Sequence, residues 1–357
     1  MSGSLALRRG VVVAEEPLTV EVAGERRPAW ADTALLGEMR EGDEVIVNVA
    51  ALELGLGSGG FDVVHVNLTR GLEGRGPEGQ HVMKLNYSSL QHAVEPVELP
   101  VRVLVPQRPK VAPEGVEATS MRVLVLPLHG HLAPAAWAVS QAVPGAKVGY
   151  VQGGGGALPG SLSRDVAALR ERDLLHDHVT AAPAYGGEHE ALSLAGALDA
   201  AANSLGWDVA LVGPGPGIIG SETRLGHGGM AALDAAHAAL ALRLPTVLSP
   251  RLSSADPRER HRPVSHHTLT VLGMLLGGVH VAVPSADPGL AAAPLAEATA
   301  RLATAAGTAH RLREAPADLD GYAAAGLPAR TMGRDLRDDP LFFAAPLAAG
   351  AALRGKG

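Results

Sequence analysis

From Met121 onward the chain repeats one pattern, in which a short apolar run is followed by a polar loop and then by an amphipathic segment. Apolar runs without alternation are typical of strands buried on both faces of a parallel sheet, and the segments between them have the period of helices. The pattern predicts strands at 122–126, 147–151, 179–182, 209–213, 246–249 and 279–284, and helices at 133–143, 161–174, 188–205, 229–242, 265–276 and 288–304. The predicted fold class is therefore α/β, with a predominantly parallel sheet flanked by helices on both faces.

The first hundred residues have a different character. Their apolar segments are short, rich in valine and partly alternating, and they predict strands at 10–14, 18–22, 44–50, 62–68 and 97–105, with a helix signal only around 31–39. A small all-β barrel or sandwich fits this pattern best. We therefore predict a β domain at 1–106, a proline-rich linker at 107–119 and an α/β domain at 120–357.

Composition excludes several classes of function. The chain has no cysteine, so disulfides and thiol chemistry are excluded, and we expect a cytoplasmic protein. A net charge of −7 and an aromatic content of 3% disfavour nucleic acid as a partner. No signal peptide is recognisable, and no apolar run is long enough to predict a membrane span.

Most of the unusual chemistry lies in two loops of the predicted α/β domain. One loop follows the apolar run at 209–213, and the other follows the run at 246–249. Ligands of parallel sheets bind at the carboxyl ends of the strands, so we expect the two loops to meet at one edge. They are the two halves of a predicted ligand pocket.

The first loop contains Gly215-x-Gly217-x-x-Gly220, the spacing of a dinucleotide-binding fingerprint. The context disagrees, because prolines interrupt the glycines and the next helix is predicted to begin only near Gly229. We expect Gly215, Gly217 and Thr223 to shape and line a pocket instead. For the glycine run 153–156, a tight turn is favoured over a phosphate cradle.

The second loop is locally cationic in an acidic chain. We predict that Arg251, Arg258 and Arg260 hold an anionic ligand, and that proton transfer falls to a set of acidic and imidazole side chains: Asp256, His261, His266 and His267. Ser265 is predicted to cap a helix, which puts two of the histidines in its first turn. There the helix dipole disfavours the protonated ring. The alternative is a solvated loop with surface ion pairs.

His129 and His131 form an H-x-H pair at the end of the first predicted strand. If the strand continued through them, both rings would point the same way, and with His261, His266 or Asp256 of the second loop they could complete a zinc or iron site. They are the candidate metal ligands from sequence, and a structural role is the alternative.

Five segments carry a resemblance to a known family: GPGIIGSETRLGHGGM, SPRLSSADPRERHRPVSHHT, TAAPAYGGEHEALSL, LHGHLAPAAWAV and TMGRDLRDDPLFF. They are similar to the bacterial domain-of-unknown-function family 3866, over nearly the whole chain. The resemblance implies a shared architecture and supplies no reaction or cofactor. Pro183 and His131 depart from the family's pattern, and the second departure weakens the case for metal binding by the H-x-H pair.

Three functions remain open at this point. The leading hypothesis is a hydrolase or transferase that acts on a small anionic molecule at the sheet edge, in a protein that assembles as a homo-oligomer. The second is a non-catalytic metabolite sensor or assembly protein, in which Asp256 pairs with Arg258 or Arg260 for structural reasons. The third is a metal-dependent hydrolase. The sequence identifies no cofactor.

Overall fold

The computed structural model describes residues 5–56, 59–74, 76, 78–98 and 121–354. The chain divides into two compact units, Met1–Val94 and Glu95–Gly357. The predicted linker at 107–119 and most of the strand predicted at 97–105 lie outside the described residues.

The first unit contains a closed barrel of five strands in the order β1-β2-β3-β5-β4. Its valines alternate along the strands, and those that point inward form a small core with Met39. Closing the sheet into a barrel leaves these five strands without a free edge. The elements are β1 (Leu7–Glu15), β2 (Leu18–Val22), β3 (Glu25–Trp30), α1 (Thr33–Leu36), β4 (Glu44–Asn48), α2 (Ala50–Glu53), β5 (Asp62–Asn67), β6 (Val82–Lys84) and β7 (His92–Val94), of which the last two strands form a separate hairpin sheet.

The second unit is built around eight parallel strands, which confirms the predicted α/β class. The strands are β8 (Arg122–Val125), β9 (Val148–Gly153), β10 (Asp177–Ala181), β11 (His189–Ala191), β12 (Val209–Pro214), β13 (Thr246–Leu248), β14 (His280–Pro284) and β15 (Arg311–Ala315). The helices are α3 (Leu132–Ala142), α4 (Arg164–Glu171), α5 (Leu194–Asn203), α6 (Ala231–Ala241), α7 (His266–Met274), α8 (Ala292–Ala306), α9 (Leu319–Ala324) and α10 (Pro340–Ala351), and a two-stranded sheet consists of β16 (Arg330–Thr331) and β17 (Arg334–Asp335). Among the helices of this unit, none is both long and apolar enough to cross a bilayer, and the same holds for the other described residues.

The strand order β11-β10-β9-β12-β8-β13-β14-β15 creates a crevice at the carboxyl edge of the sheet. Helices α5 to α8 pack side by side in one layer, and α4, α3 and α10 pack in the other. The connections after β9 and β8 lead into the second layer, whereas those after β12 and β13 lead into the first. Neighbouring connections therefore leave on opposite faces in the centre of the sheet, which is where parallel sheets bind ligands.

Two predicted helices differ from the structure. The helix predicted at 188–205 is a short edge strand, β11, followed by α5, because residues 189–191 pair with β10. The helix predicted at 161–174 is shorter, since α4 begins at Arg164 with the Ser163 hydroxyl accepting from the Val166 amide. Ser163 is therefore the N-cap of α4.

Candidate functional site

The loop after β12, residues 215–227, folds back as a small hairpin. Gly220 pairs with His227 in an antiparallel bridge, and the Gly228 amide donates to the Ile219 carbonyl at 2.8 Å. At the exposed tip, the Thr223 hydroxyl accepts from the Gly226 amide at 3.0 Å. The hairpin holds His227 at its base, and the contacts of Thr223 keep the tip closed.

Gly215 lies where two loops touch. A Cβ atom on this residue would meet the Ala157 carbonyl oxygen at 2.2 Å, so only glycine allows the 153–156 turn to pack against the loop after β12. Gly217 has a φ of +74° and faces open space. The two glycines thus shape the loop by close approach and by a left-handed turn.

The loop after β13, residues 249–265, closes on itself at its base. Leu252 and Val264 form an antiparallel bridge, and the Ser265 amide donates to the Arg251 carbonyl at 2.9 Å. The Arg251 amide in turn donates to the hydroxyl of Thr268 at 2.8 Å. These bonds fix the start of α7 against the end of β13.

Ser265 caps α7 as its sequence predicts. Its hydroxyl accepts from the His267 amide at 3.2 Å, and it is also hydrogen-bonded to Nδ1 of His261 at 2.7 Å. The serine therefore orients the His261 ring and places His266 and His267 in the first turn of α7.

Four imidazoles from the two loops and α7 crowd together. His227 stacks on His267 with ring centroids 3.6 Å apart and planes tilted by 7°, and the ring of His266 lies 5.4 Å from that of His227. His261 lies 5.2 Å from His266 and 5.0 Å from His267. The structure thus brings the three predicted histidines together and adds a fourth, His227.

Burial keeps these rings uncharged. It lowers the pKa of His267 to about 2 and that of His261 to about 3, with the positive charge of Arg251 acting in the same direction. Burial is also the largest cause that lowers the pKa of His227 and of His266. At neutral pH all four rings offer a nitrogen lone pair.

The cations of the second loop surround one buried carboxylate. Asp256 is fully buried and lies 2.9 Å from Arg258, 3.1 Å from Arg251 and 3.4 Å from Arg334. Its burial opposes ionisation, but the hydrogen bonds and charges of the guanidinium groups outweigh this and hold its pKa far below the usual range. Arg260 instead pairs with the exposed Glu222 of the first loop at 3.2 Å.

The network continues into the C-terminal part of the unit. Arg334 of β17 lies 3.2 Å from Asp339, whose carboxylate also accepts from the hydroxyl of Ser253 at 2.5 Å and from the amide of Ser254 at 2.9 Å. Sequence reasoning did not single out Arg334 or Asp339. They join the 249–265 loop to β17 and to the start of α10.

His129 and His131 do not form a common site. The chain turns into a 3-10 helix at 129–131 rather than continuing as a strand, so the two rings diverge. Nε2 of His129 lies 2.8 Å from the Ser163 hydroxyl, whereas Nδ1 of His131 lies 2.9 Å from the Ser249 hydroxyl. The strand does not continue through the pair, so the condition under which both rings would point the same way is not met.

An open cleft of about 280 Å³ lies beside the imidazole cluster, at the carboxyl ends of β9, β10 and β12. Its walls are mainly apolar or backbone, and two of its residues, His227 and Asp234, carry polar side chains. The lining comprises Gly153, Gly154, Gly155, Ala182, Pro183, Leu194, Val212, Gly213, His227, Gly228, Met230, Ala231, Asp234 and Ala235. His227 is the residue shared by the cleft and the cluster.

Three of the imidazoles have the arrangement of a metal-binding set. One ring nitrogen of His227, one of His266 and one of His267 lie within 4.8 Å of one another. Sequence reasoning missed His227 because it stands alone in its loop. Its position in Gly-His-Gly-Gly at the start of a helix is the only signal the sequence offers.

Comparison with known proteins identifies one family. A family model described as "Protein of unknown function (DUF3866)" matches residues 28–350, nearly the whole chain. No curated protein and no solved structure matches the chain.

Proposed function

The chain belongs to the DUF3866 family, whose function is unknown, and from its own residues we propose that it hydrolyses or transfers a group of a small anionic molecule. The reaction is placed at the carboxyl edge of the eight-stranded sheet. The observation that carries the proposal is the junction of the two loops, where His227 joins His261, His266 and His267 beside an open cleft.

The arginines support an anionic ligand. Arg258 and Arg260 keep 44% and 38% of their side chains exposed. The ion pair of Arg260 with Glu222 is exposed, so it is weak and a bound anion can replace it. Arg251 is buried with Asp256 and acts as a fixed source of positive charge.

The imidazoles are the groups for proton transfer in this proposal. Asp256 remains ionised among three guanidinium groups, so it serves as their counter-ion and does not exchange a proton. His261 is oriented by Ser265, and its low pKa makes the neutral ring a weak base in the free protein. The negative charge of a bound anion would raise that pKa, so that the other ring nitrogen can accept a proton from water as the water oxygen attacks. The same ring can return that proton to the leaving group.

Binding and turnover can be tested separately. Inorganic phosphate and AMP are expected to raise the melting temperature of the wild type. The matched control Arg262→Gln, which removes an exposed arginine of the same loop, is expected to behave like the wild type, and Arg260→Gln is expected to show a smaller rise. Hydrolysis of p-nitrophenyl phosphate is expected to fall by about 100-fold or more in His261→Gln. Equal thermal shifts in wild type, Arg262→Gln and Arg260→Gln would contradict anion binding by Arg260. Equal hydrolysis rates in wild type and His261→Gln would contradict the role of His261.

A second candidate function is a non-catalytic sensor or assembly protein. It is favoured by one observation, namely that Asp256 is buried in ion pairs with the buried Arg251 and the half-buried Arg334, and that none of the three lines the cleft. Thermal shifts without turnover of any probe would favour this candidate.

A further inference from the structure

Two separate parts of the chain bring three imidazoles close together, those of His227, His266 and His267. His227 lies at the base of the hairpin after β12, and the other two begin α7. Their three nearest ring nitrogens lie within 4.8 Å of one another, whereas tetrahedral coordination at about 2.0–2.1 Å requires a separation of roughly 3.3 Å. Binding of one ion would therefore require the His227 ring to tilt out of its stack on His267, so that the lone pairs of both rings point at the same atom.

Two of these rings present a buried nitrogen that has no hydrogen-bond partner. The atoms are Nδ1 of His227 and Nε2 of His266. A buried polar atom without a partner is costly, so two of them on neighbouring rings of one cluster need an explanation. A shared ligand supplies one.

The second nitrogen of His227 is fixed in the way that metal-bound histidines are fixed. Nε2 lies 3.0 Å from the backbone carbonyl of Arg224, to which it donates when Nδ1 carries the lone pair. Histidine ligands of metals commonly donate their other N–H to a carbonyl or carboxylate, which sets the tautomer and the ring orientation.

Gly229 leaves room beside the rings. A Cβ atom on this residue would lie 2.9 Å from Nδ1 of His267 and 3.0 Å from Nδ1 of His227. Any side chain at this position would therefore crowd the Nδ1 atoms of both rings. The glycine two residues after His227 keeps that space open.

From this geometry we propose a divalent transition-metal site with His227, His266 and His267 as its three protein ligands. Imidazole ligands suit zinc and its first-row neighbours, and zinc is the expected ion. Three protein ligands leave a fourth position for water or an anion, as in catalytic zinc sites. The site goes beyond the proposed function and stands without it, because it is argued from the three side chains and not from a reaction.

Metal content tests the proposal directly. Untagged full-length protein, loaded with zinc and dialysed, is expected to retain one zinc per chain by elemental analysis, and His266→Gln is expected to lose at least 90% of it. His81→Gln, which removes an exposed histidine of the first unit, is the matched control and is expected to retain the wild-type amount. Cobalt-loaded wild type is expected to show the visible absorption of a tetrahedral site, and His266→Gln to lack it.

A second variant, Gly229→Ala, keeps all three histidines and tests the site without removing a ligand. Gly229→Ala places a methyl group against His227 and His267, and it is expected to weaken zinc binding at least 10-fold. Circular dichroism in the presence of a chelator checks that all variants are folded. The proposal is overturned if the wild type retains no more zinc than His266→Gln. These measurements do not involve turnover of a substrate, so failure of the metal site can be distinguished from failure of the proposed reaction.

Discussion

Single side chains in the second unit are held in one protonation state by their surroundings. The sequence predicted neutral rings for His266 and His267 from their place in the first turn of α7, and the structure assigns the largest effect to burial instead. His131 shows the same cause away from the cluster. It is fully buried against Phe342, and burial lowers its pKa to about 3.

The buried ring of His131 makes stability depend on pH. Its unfolded pKa is about 6.5, so its contribution is complete above that pH and is lost as the pH falls from about 6.5 toward 3, by about 1.4 kcal/mol per pH unit. The free energy of unfolding in urea, measured at about pH 7 and about pH 5, is expected to drop about 2 kcal/mol less in His131→Gln than in the wild type. The exposed His176→Gln serves as control. Parallel losses in wild type and His131→Gln would contradict this account.

In the second unit, buried ion pairs connect secondary-structure elements in addition to the apolar core. The carboxylates of Asp256 and Asp339 tie the 249–265 loop to β17 and to the start of α10 through Arg334. Removing one member of such a network leaves buried charges without a partner. The loop that carries His261 therefore depends on elements far along the chain.

Asp256→Asn is expected to lower the free energy of unfolding by about 3–5 kcal/mol, because three guanidinium groups lose their common counter-charge. Glu222→Gln breaks the exposed pair with Arg260 and is expected to cost less than about 1 kcal/mol. Urea unfolding of both variants measures the difference. A cost for Asp256→Asn no larger than that for Glu222→Gln would show that the network is not structural.

Sequence patterns predicted those elements whose burial produces a clear hydrophobic pattern. Strands β8, β9 and β12 are buried on both faces and produce apolar runs. Edge strand β15 has one buried residue and no such run, and α10 is buried on all sides, so it lacks an amphipathic period and contains Pro346 as well. A hydrophobic pattern cannot identify a strand with almost no buried residues or a helix with no exposed face.

At the scale of the whole molecule, two cores define two units, and the candidate site belongs to the larger one. The alternation of strands and helices predicted that the loops after β12 and β13 would share an edge. It could not predict which side chains meet there, because the stacking of His227 on His267 depends on the strand order β12-β8-β13 and on the hairpin at 215–227. The metal candidates from sequence, His129 and His131, came instead from their H-x-H spacing at a strand end.

The central claim is that the two loops form one centre at His227, His266 and His267. Crystals of the zinc-loaded full-length protein, measured at the zinc absorption edge, test it most directly. The account predicts an anomalous peak at about 2.0–2.1 Å from one nitrogen of each of the three histidines. Peaks that lie only at other histidines, or no peak at all, would contradict it.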